Sequence, residues 1–292
     1  MFDAYRGRIA PTPSGPLHLG HALTFWTAQR RACAHGGVLL LRNEDLDPDR
    51  CKPEFARQML DDLRWFGLDW QEGPDVGGSF APYTQSERRG LYQKSWHALA
   101  SAGAIYPSSH SRKDIAAALV APHDESRAVD AEQIFPRDLR PREPLTAPDS
   151  PGEVNWRFRV PDGEIITFED ERQGRVERTA GIDFGDFLIW RRDGYPSYEL
   201  AVVHDDHAMQ ISEVVRGEDL LTSTARQLLL YRTLGWTPPA FYHCPLVRDE
   251  RGQRLAKRAD AVSLATLRAE GKLPEALPTL AQLLSGAGKA GG

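Results

Sequence analysis

Apolar and polar positions near the start of the chain follow the spacing of a strand, then of a helix, then of a second strand. GRIA forms a short apolar strand pattern, and the helical spacing of HALTFWTAQRRACAH ends at Gly36 and Gly37. The four apolar residues VLLL then precede an abrupt charged stretch, RNED, as in a buried strand. This β-α-β pattern predicts a parallel sheet with a ligand crevice at the strand ends.

The rest of the chain alternates between the two periods. Helical spacing recurs in PEFARQMLDDLRWFG, in TQSERRGLYQKSWHALASAG, in DLLTSTARQLLLYRTLGW and, briefly, from Ser263 onward. Strand patterns occur in VNWRFRVP, EIITFED and FYHCPLVRD. In DFLIWRRDGYPSYELAVVHDD we predict two strands that are joined by a turn at Asp193 and Gly194.

These elements predict an α/β protein of three parts. A nucleotide-binding catalytic domain is split between residues 1–105 and 186–262, and a smaller α+β subdomain is inserted at residues 106–185. Residues 263–292 form a short helical segment and a tail.

Composition narrows the class of protein. Of the 292 residues 41% are hydrophobic and 26% are charged, which is ordinary for a soluble globular chain. No apolar run has the length of a membrane span, the N-terminus lacks a signal-peptide pattern, and the three cysteines, Cys33, Cys51 and Cys244, are scattered. We therefore expect a reduced, cytoplasmic protein without a membrane partner, and a monomer. With a net charge of −5, a polyanion would have to bind at local patches.

The candidate chemistry starts in RIAPTPSGPLHLGHA, where His18 and His21 lie on a glycine-rich loop at the beginning of a helix. A helix N-terminus attracts phosphate, and Gly15 and Gly20 allow a ligand to approach the backbone. Two imidazole donors at that place would stabilise charge on an attacked phosphorus centre. The alternative is that both histidines only cap or pack the helix end. The residues fit neither a Walker loop nor a GxGxxG loop.

His18-Leu19-Gly20-His21 resembles the His-x-Gly-His signature of the class I aminoacyl-tRNA synthetases, and the whole stretch is similar to their glutamyl branch. The resemblance implies a Rossmann-like parallel sheet. It also implies a second, basic signature, which we place at Arg254-Leu255-Ala256-Lys257-Arg258. Only the second lysine of that signature is kept, as Lys257, and the usual serine is Ala256. An exposed basic loop without a function is the alternative.

A glutamate pocket must hold an ammonium group and a side-chain carboxylate, and guanidinium groups suit the carboxylate. By resemblance, Arg8 and Arg216 recognise the glutamate side chain, Glu44 holds the ammonium group, and Tyr198 lines the same pocket. The residues that follow Arg8 are assigned to the glutamate site as well: Ile9, Ala10, Pro11 and Thr12. Taken singly, each charged residue could instead belong to an ordinary ion pair or surface.

The resemblance implies that ATP is a substrate and that Mg²⁺ accompanies its phosphates. The glutamate carboxylate attacks the α-phosphorus without a general base and gives glutamyl-adenylate and pyrophosphate. His18, His21 and Lys257 are the predicted catalytic residues, and with Gly20 they form the predicted ATP site.

The acceptor is inferred from length, because the chain ends shortly after Lys257 and we expect no anticodon-binding domain. This resembles the glutamyl-Q tRNA(Asp) synthetases, which activate glutamate without tRNA and attach it to the cyclopentenediol of queuosine at the wobble position of tRNA(Asp). Basic stretches such as WRRDGYP, RQGRVER and LRPREP are candidate contacts to the tRNA backbone. Two alternatives remain, a truncated synthetase that acylates a tRNA 3′ end and a non-catalytic paralogue that senses tRNA or amino acid. Small nucleotidyltransferases and pantothenate-type ligases share His-x-Gly-His. They do not need the three charged residues assigned to glutamate binding, Arg8, Glu44 and Arg216.

We expect no metal site at either of two places where the sequence could suggest one. Many members of the branch carry cysteine ligands for zinc after a Tyr-Pro turn, whereas here Tyr106-Pro107 is followed by Ser108, Ser109 and His110, and the later ligand positions are Phe135 and Leu139. We therefore predict no zinc, with a rebuilt site of His110, His123 and Asp138 as the alternative. For the cluster Asp205, Asp206 and His207 we favour a structural role over metal binding.

Overall fold

The computed structural model describes residues 4–110, 134–142, 148–246 and 263–272. The elements run in the order β1 (Arg6–Ile9), α1 (Leu19–Ala34), β2 (Val38–Leu41), α2 (Pro53–Trp65), α3 (Arg89–Ser101), β3 (Ile105–Ser108), β4 (Asn155–Phe158), β5 (Ile165–Asp170), β6 (Gly174–Thr179), β7 (Phe187–Trp190), α4 (Tyr198–Ala208), β8 (Glu213–Gly217), α5 (Leu221–Leu234), β9 (Ala240–Cys244) and α6 (Leu264–Ala269). Short 3-10 turns cover Gln85–Arg88, Arg137–Leu139 and Glu218–Leu220.

The chain forms two compact units. The first consists of Met1–Glu87, Ile211–Asp219 and Phe241–Gly292, and the second of Arg88–Gln210 and Leu220–Ala240. The division into a split catalytic domain, an inserted subdomain and a C-terminal segment, with the boundaries given above, stays a prediction. No helix in the described ranges is long and apolar enough to cross a membrane.

The first unit contains the predicted β-α-β arrangement. Strands β1 and β2 pair in parallel from Arg6 opposite Val38 to Ile9 opposite Leu41, and α1 connects them. Helix α1 buries a stripe of small side chains, Ala22, Leu23, Ala28 and Ala32. Gly37 ends this connection where only glycine fits, since a Cβ there would lie 2.5 Å from the Tyr5 carbonyl oxygen.

The core of the first unit lies between α1, α2 and the strands. It contains Ile9 and Leu41, which have no exposed surface, and side chains from α2 and α6. Each such side chain contributes roughly 1.5–3 kcal/mol by leaving water. Arg31 of α1 also forms two hydrogen bonds of 2.6 Å to the carboxylate of Glu213 in β8, which fixes the helix against that strand.

The second unit is built on antiparallel strands. Strand β4 lies between β3 and β7 in one sheet, and β5 forms a hairpin with β6. Strands were predicted at β4, β5 and β7, and the structure confirms them. The strand β6 was missed, because half of the residues in GRVERT are charged and only Val176 is buried.

One predicted strand is wrong. The segment after the Asp193-Gly194 turn forms helix α4, which Ser197 caps by accepting a hydrogen bond from the Leu200 amide at 3.3 Å. The helix is buried from Glu199 to Asp206, apolar and polar residues alike, so its polar positions do not mark an exposed face that would reveal the helical period. The short apolar run from Leu200 to Val203 does not by itself distinguish a strand from a buried helix.

Aromatic packing occupies the positions where relatives of the glutamyl branch were expected to carry zinc ligands. Tyr106 and Phe135 are buried together, and Leu139 packs against them. The guanidinium of Arg157 lies 4.4 Å from the centre of the Phe135 ring. The Tyr106 hydroxyl donates to the buried carboxylate of Asp186 at 2.5 Å, so this cluster has both an apolar and a hydrogen-bonded anchor.

Phe135→Ala is therefore expected to lower the free energy of unfolding by about 3–5 kcal/mol, the usual cost of removing a buried phenylalanine ring. Urea unfolding would measure the loss. Addition of EDTA should leave the unfolding midpoint of the wild-type protein unchanged, because packing maintains this part of the fold. A midpoint that falls with EDTA and returns with Zn²⁺ would contradict this account. The exposed Ile182→Ala is a matched control, since that side chain is 67% exposed.

Candidate active site

The first signature lies where β1 passes into α1. His18 is the N-cap residue of α1, with φ −109° and ψ 164°, and its side chain makes no capping hydrogen bond. Its Nδ1 atom is buried and has no hydrogen-bond partner among residues in the described ranges. The alternative that His18 serves as a side-chain cap therefore has no support in the geometry.

The two imidazoles of the signature lie against each other, with ring centres of His18 and His21 3.8 Å apart and planes 26° from parallel. His21 is accessible to solvent but surrounded by enough protein that desolvation, with some repulsion from His18, lowers its pKa to about 4. Desolvation also lowers the pKa of His18. At neutral pH we therefore expect two uncharged rings, each with one N–H group to donate.

The segment that follows the second signature returns to this loop. Ser263 pairs with His18 as an isolated bridge, and the Leu264 amide donates to the Leu17 carbonyl oxygen at 2.8 Å. Lys257, and with it Arg254, Ala256 and Arg258, lies outside the described residues. The predicted role of Lys257 stays a prediction.

Two predicted glutamate-binding arginines lie on neighbouring parts of β1 and β8, and each is only 4% exposed. Arg8 donates through Nη1 to the carbonyl oxygen of Val215, the residue before Arg216, at 3.0 Å. Arg216 donates through Nε to Nε2 of the buried His243 at 3.3 Å. Both arginines thus lie in the buried part of the first unit, Arg8 against β8 and Arg216 against β9. Their joint role as a carboxylate site stays a prediction.

The predicted ammonium-binding carboxylate is fixed by an arginine. Glu44 is 7% exposed, and its Oε1 atom accepts from Nη2 of Arg42 at 2.9 Å and from Nε at 3.2 Å. Arg42 itself has no exposed surface. The buried pair orients the carboxylate, since two N–H groups of one guanidinium contact the same oxygen.

The backbone after Arg8 runs beside Glu44. The Glu44 amide donates to the Pro11 carbonyl oxygen at 3.1 Å, and the Arg42 amide to that of Ile9 at 2.9 Å. Because the Ile9 side chain is fully buried, only its backbone could meet a ligand. Ala10 is half-buried and Thr12 is exposed.

Sequence reasoning missed two residues of this site, Arg42 and His243. The spacing of Arg42 and Glu44 by two positions is a signal for the first, because such residues share one face of extended backbone. His243 gave a weaker signal, since its partner depends on how β8 lies beside β9. The fourth predicted glutamate residue, Tyr198, begins α4 in the second unit and is 40% exposed, and its role stays a prediction.

The candidate metal ligands of α4 are engaged in other contacts. The Asp205 carboxylate is fully buried and accepts from Arg88 Nε at 2.7 Å and from the Tyr92 hydroxyl at 2.9 Å. The His207 ring stacks on Trp236 with centres 4.0 Å apart. Over the described part of the chain, no group of three or more His, Cys, Asp or Glu could hold a metal ion. These contacts agree with the structural role favoured above.

The rebuilt zinc site is only partly described. The His110 ring lies edge-on to Phe135 with centres 6.3 Å apart, and Asp138 lies in the 3-10 turn. His123 falls outside the described residues.

The model of the family tRNA synthetases class I (E and Q), catalytic domain, matches residues 4–289. The chain belongs to this family and is a ligase, and the predicted α/β fold of class I synthetases is confirmed. It is 47% identical over 281 residues to a glutamyl-Q tRNA(Asp) synthetase of Symbiobacterium thermophilum, covering 96% of this chain and 86% of the relative. It is 43% identical over 278 residues to the glutamyl-Q tRNA(Asp) synthetase of Nitratidesulfovibrio vulgaris, covering 91% and 82%.

A solved structure is similar over nearly the whole chain. It is a glutamate tRNA ligase from Elizabethkingia meningosepticum in complex with its amino acid, with a TM-score of 0.76 and 29% identity. The match covers 94% of this chain and 59% of that enzyme, so the chain spans well under two thirds of the length of this structural relative.

Proposed function

We propose that this protein joins L-glutamate to ATP in the absence of tRNA and then transfers the glutamyl group to the queuosine cyclopentenediol at the wobble position of tRNA(Asp). The observation that supports the activation step is that Arg8, Arg216 and Glu44 are all buried charged residues of the unit that also contains the first signature. The queuosine acceptor is supported by the names of two relatives that match most of this chain. We retain the predictions that the protein is cytoplasmic and monomeric.

The charge set explains how glutamate would be selected. Two buried guanidinium groups favour a ligand that offers a second carboxylate, whereas glutamine would leave them with a neutral amide. Glu44 would accept the ammonium group of the same molecule. Arg42 orients that carboxylate, because two of its N–H groups contact the same oxygen of Glu44.

In the activation step, a glutamate carboxylate oxygen forms a bond to the α-phosphorus of ATP, and the bond to the bridging oxygen of pyrophosphate breaks. The nucleophile is already ionised at neutral pH, so no residue needs to accept a proton. His18 and His21 would donate N–H groups to phosphate oxygens as charge develops there. Lys257 would contact the leaving pyrophosphate.

Magnesium fits this scheme as a companion of ATP. Because the described residues provide no cluster of three His, Cys, Asp or Glu, phosphate oxygens and water would supply most ligands, as is usual for this ion. The ion would neutralise phosphate charge, and the protein side chains would orient the nucleotide.

In the second step, a hydroxyl of the acceptor forms an ester with the glutamyl carbonyl carbon, and AMP leaves with the electrons of the broken acyl-phosphate bond. The rival acceptor is the 3′-terminal adenosine, which is favoured by a 39% identity over 285 residues to a glutamate–tRNA ligase of Syntrophus aciditrophicus. Both acceptors are vicinal diols, so the chemistry of the site does not separate them.

The test uses radiolabelled glutamate, ATP and purified tRNA(Asp) with or without queuosine, followed by nuclease digestion and mapping of labelled fragments. We expect label only with queuosine-containing tRNA, and only on the anticodon fragment. Label on the terminal adenosine would overturn the proposed acceptor. Glutamate-dependent exchange of pyrophosphate into ATP without tRNA is also expected, and its absence would favour the non-catalytic alternative.

A further inference from the structure

Helix α2 carries a buried carboxylate that stability alone does not explain. Asp62 has no exposed surface, and neither of its oxygens has a hydrogen-bond partner within the described part of the chain. Its nearest opposite charge is Nη2 of Arg268 in α6, 3.3 Å from Oδ1. An ionised carboxylate in such a place is costly, and an apolar residue of similar size would often be at least as stable.

The partner helix α6 lies directly behind the first signature. Its side chains Leu264 and Leu267 are buried in the core that α1 and α2 share. At its N-terminal end the Leu264 amide donates to Leu17, and Ser263 pairs with His18. The position of α6 therefore bears directly on the backbone of His18.

We propose that Asp62 is a positioning residue, whose ion pair with Arg268 sets the placement of α6 against the loop that carries His18. The inference rests on the proposed function for its effect on rate. The backbone bonds of Ser263 and Leu264 hold the N-terminal end of α6, whereas the two buried leucines do not fix its rotation, because apolar contact is not directional. The ion pair of Arg268 with Asp62 fixes the other end of α6 against α2.

Two variants separate positioning from stability. Asp62→Asn keeps the shape of the side chain and removes the charge, and Asp61→Asn is the matched control, an exposed acid one position earlier on the same helix. For Asp62→Asn we expect kcat of glutamate-dependent ATP–pyrophosphate exchange to fall by about tenfold, since small displacements of catalytic groups have effects of this order or larger. The KM for glutamate should stay within about twofold, because the predicted glutamate residues Arg8, Arg216 and Glu44 lie on β1, β8 and the segment after β2, and the substitution acts through α6 on the loop of His18.

Amide hydrogen exchange provides a readout that does not depend on activity. In Asp62→Asn the Leu264 amide should exchange faster than in the wild-type protein, because a loosened α6 exposes its hydrogen bond to Leu17. Asp61→Asn should leave both the exchange of Leu264 and kcat unchanged. If the wild-type protein shows no glutamate-dependent activity, the proposed function fails, and amide exchange still decides whether Asp62 holds α6.

An unchanged Leu264 exchange rate in Asp62→Asn would overturn the inference, as would equal losses of kcat in Asp62→Asn and Asp61→Asn. The partner variant Arg268→Gln is expected to lower the unfolding midpoint, because it leaves Asp62 buried without its cation. Combining Arg268→Gln with Asp62→Asn should recover most of that midpoint while kcat remains low. Recovery of kcat together with the midpoint would show a purely structural pair and would also overturn the inference.

The difference in stability between Asp62→Asn and the wild-type protein should depend on pH in a defined direction. Burial raises the pKa of Asp62; the Arg268 guanidinium opposes this and the neighbouring Asp61 adds to it. A raised folded-state pKa means that the carboxyl stabilises the fold below its unfolded-state value and loses this contribution as pH rises through the folded-state value. The variant should therefore be at least as stable as the wild type at pH 8, with the difference shrinking toward pH 4, as thermal unfolding would measure.

Discussion

His21→Asn is expected to reduce the rate of glutamate-dependent ATP–pyrophosphate exchange by about 10²- to 10³-fold, the usual effect of removing one donor that stabilises transition-state charge. The His21 ring is accessible, stacks on His18 and has a pKa lowered to about 4, so it is a neutral donor at the pH of the assay. Asparagine keeps an N–H donor but shortens its reach. The measurement is kcat in pyrophosphate exchange at saturating glutamate and ATP.

The control is His97→Asn, an exposed histidine on α3 in the second unit, which should retain wild-type exchange. A His21→Asn rate within threefold of the wild type would contradict the catalytic assignment. The pH profile adds a second check. Because the pKa of folded His21 lies below that of an unfolded histidine, its protonation opposes folding progressively as pH falls from about 6.5 to 4. His21→Asn should therefore lose less stability over that interval than the wild-type protein does.

The parts of the fold that could be predicted from sequence are those with one buried face. Strand β2 and helix α1 were located because each shows its own period between clear breaks, such as Gly36 and Gly37. Helix α4 was missed for the opposite reason, since it is buried from Glu199 to Asp206 and its polar residues do not mark an exposed face. The strands β4 and β5 belong to different sheets. Which sheet a strand joins depends on partners far away in the sequence, and no local pattern encodes them.

The candidate site shows the same limit. Arg8 and Arg216 were predicted from chemistry and resemblance. The structure buries both in the first unit and bonds Arg8 to the carbonyl oxygen of Val215, while their role in binding glutamate stays a prediction. Local patterns did not predict the residues that contact these arginines. His243, for example, bonds to Arg216 from a third strand, β9. Lys257 lies outside the described residues and Tyr198 in the other unit, so the assignment of both still depends on resemblance alone.

Arg42→Gln is expected to lower the free energy of unfolding by about 3–5 kcal/mol, because it removes the guanidinium that pairs with the buried carboxylate of Glu44. Water cannot solvate the carboxylate in place of Arg42, since Glu44 is only 7% exposed. The carboxyl would respond by taking up a proton, and a protonated Glu44 could not hold an ammonium group. A large rise in the KM for glutamate should therefore accompany the loss of stability.

The double variant Arg42→Gln with Glu44→Gln separates these two effects. It places two neutral amides where the ion pair was, so the unpaired charge is gone and urea unfolding should show that a large part of the lost stability returns. Glutamate-dependent exchange should not return, because the ammonium-binding carboxylate is absent. If activity returned with stability, Glu44 would have no part in holding glutamate, and Arg42 would be only a structural partner. If neither Arg42→Gln nor Glu44→Gln alone lost stability, the buried pair would be replaceable by neutral groups. Another residue would then have to orient the substrate's ammonium group.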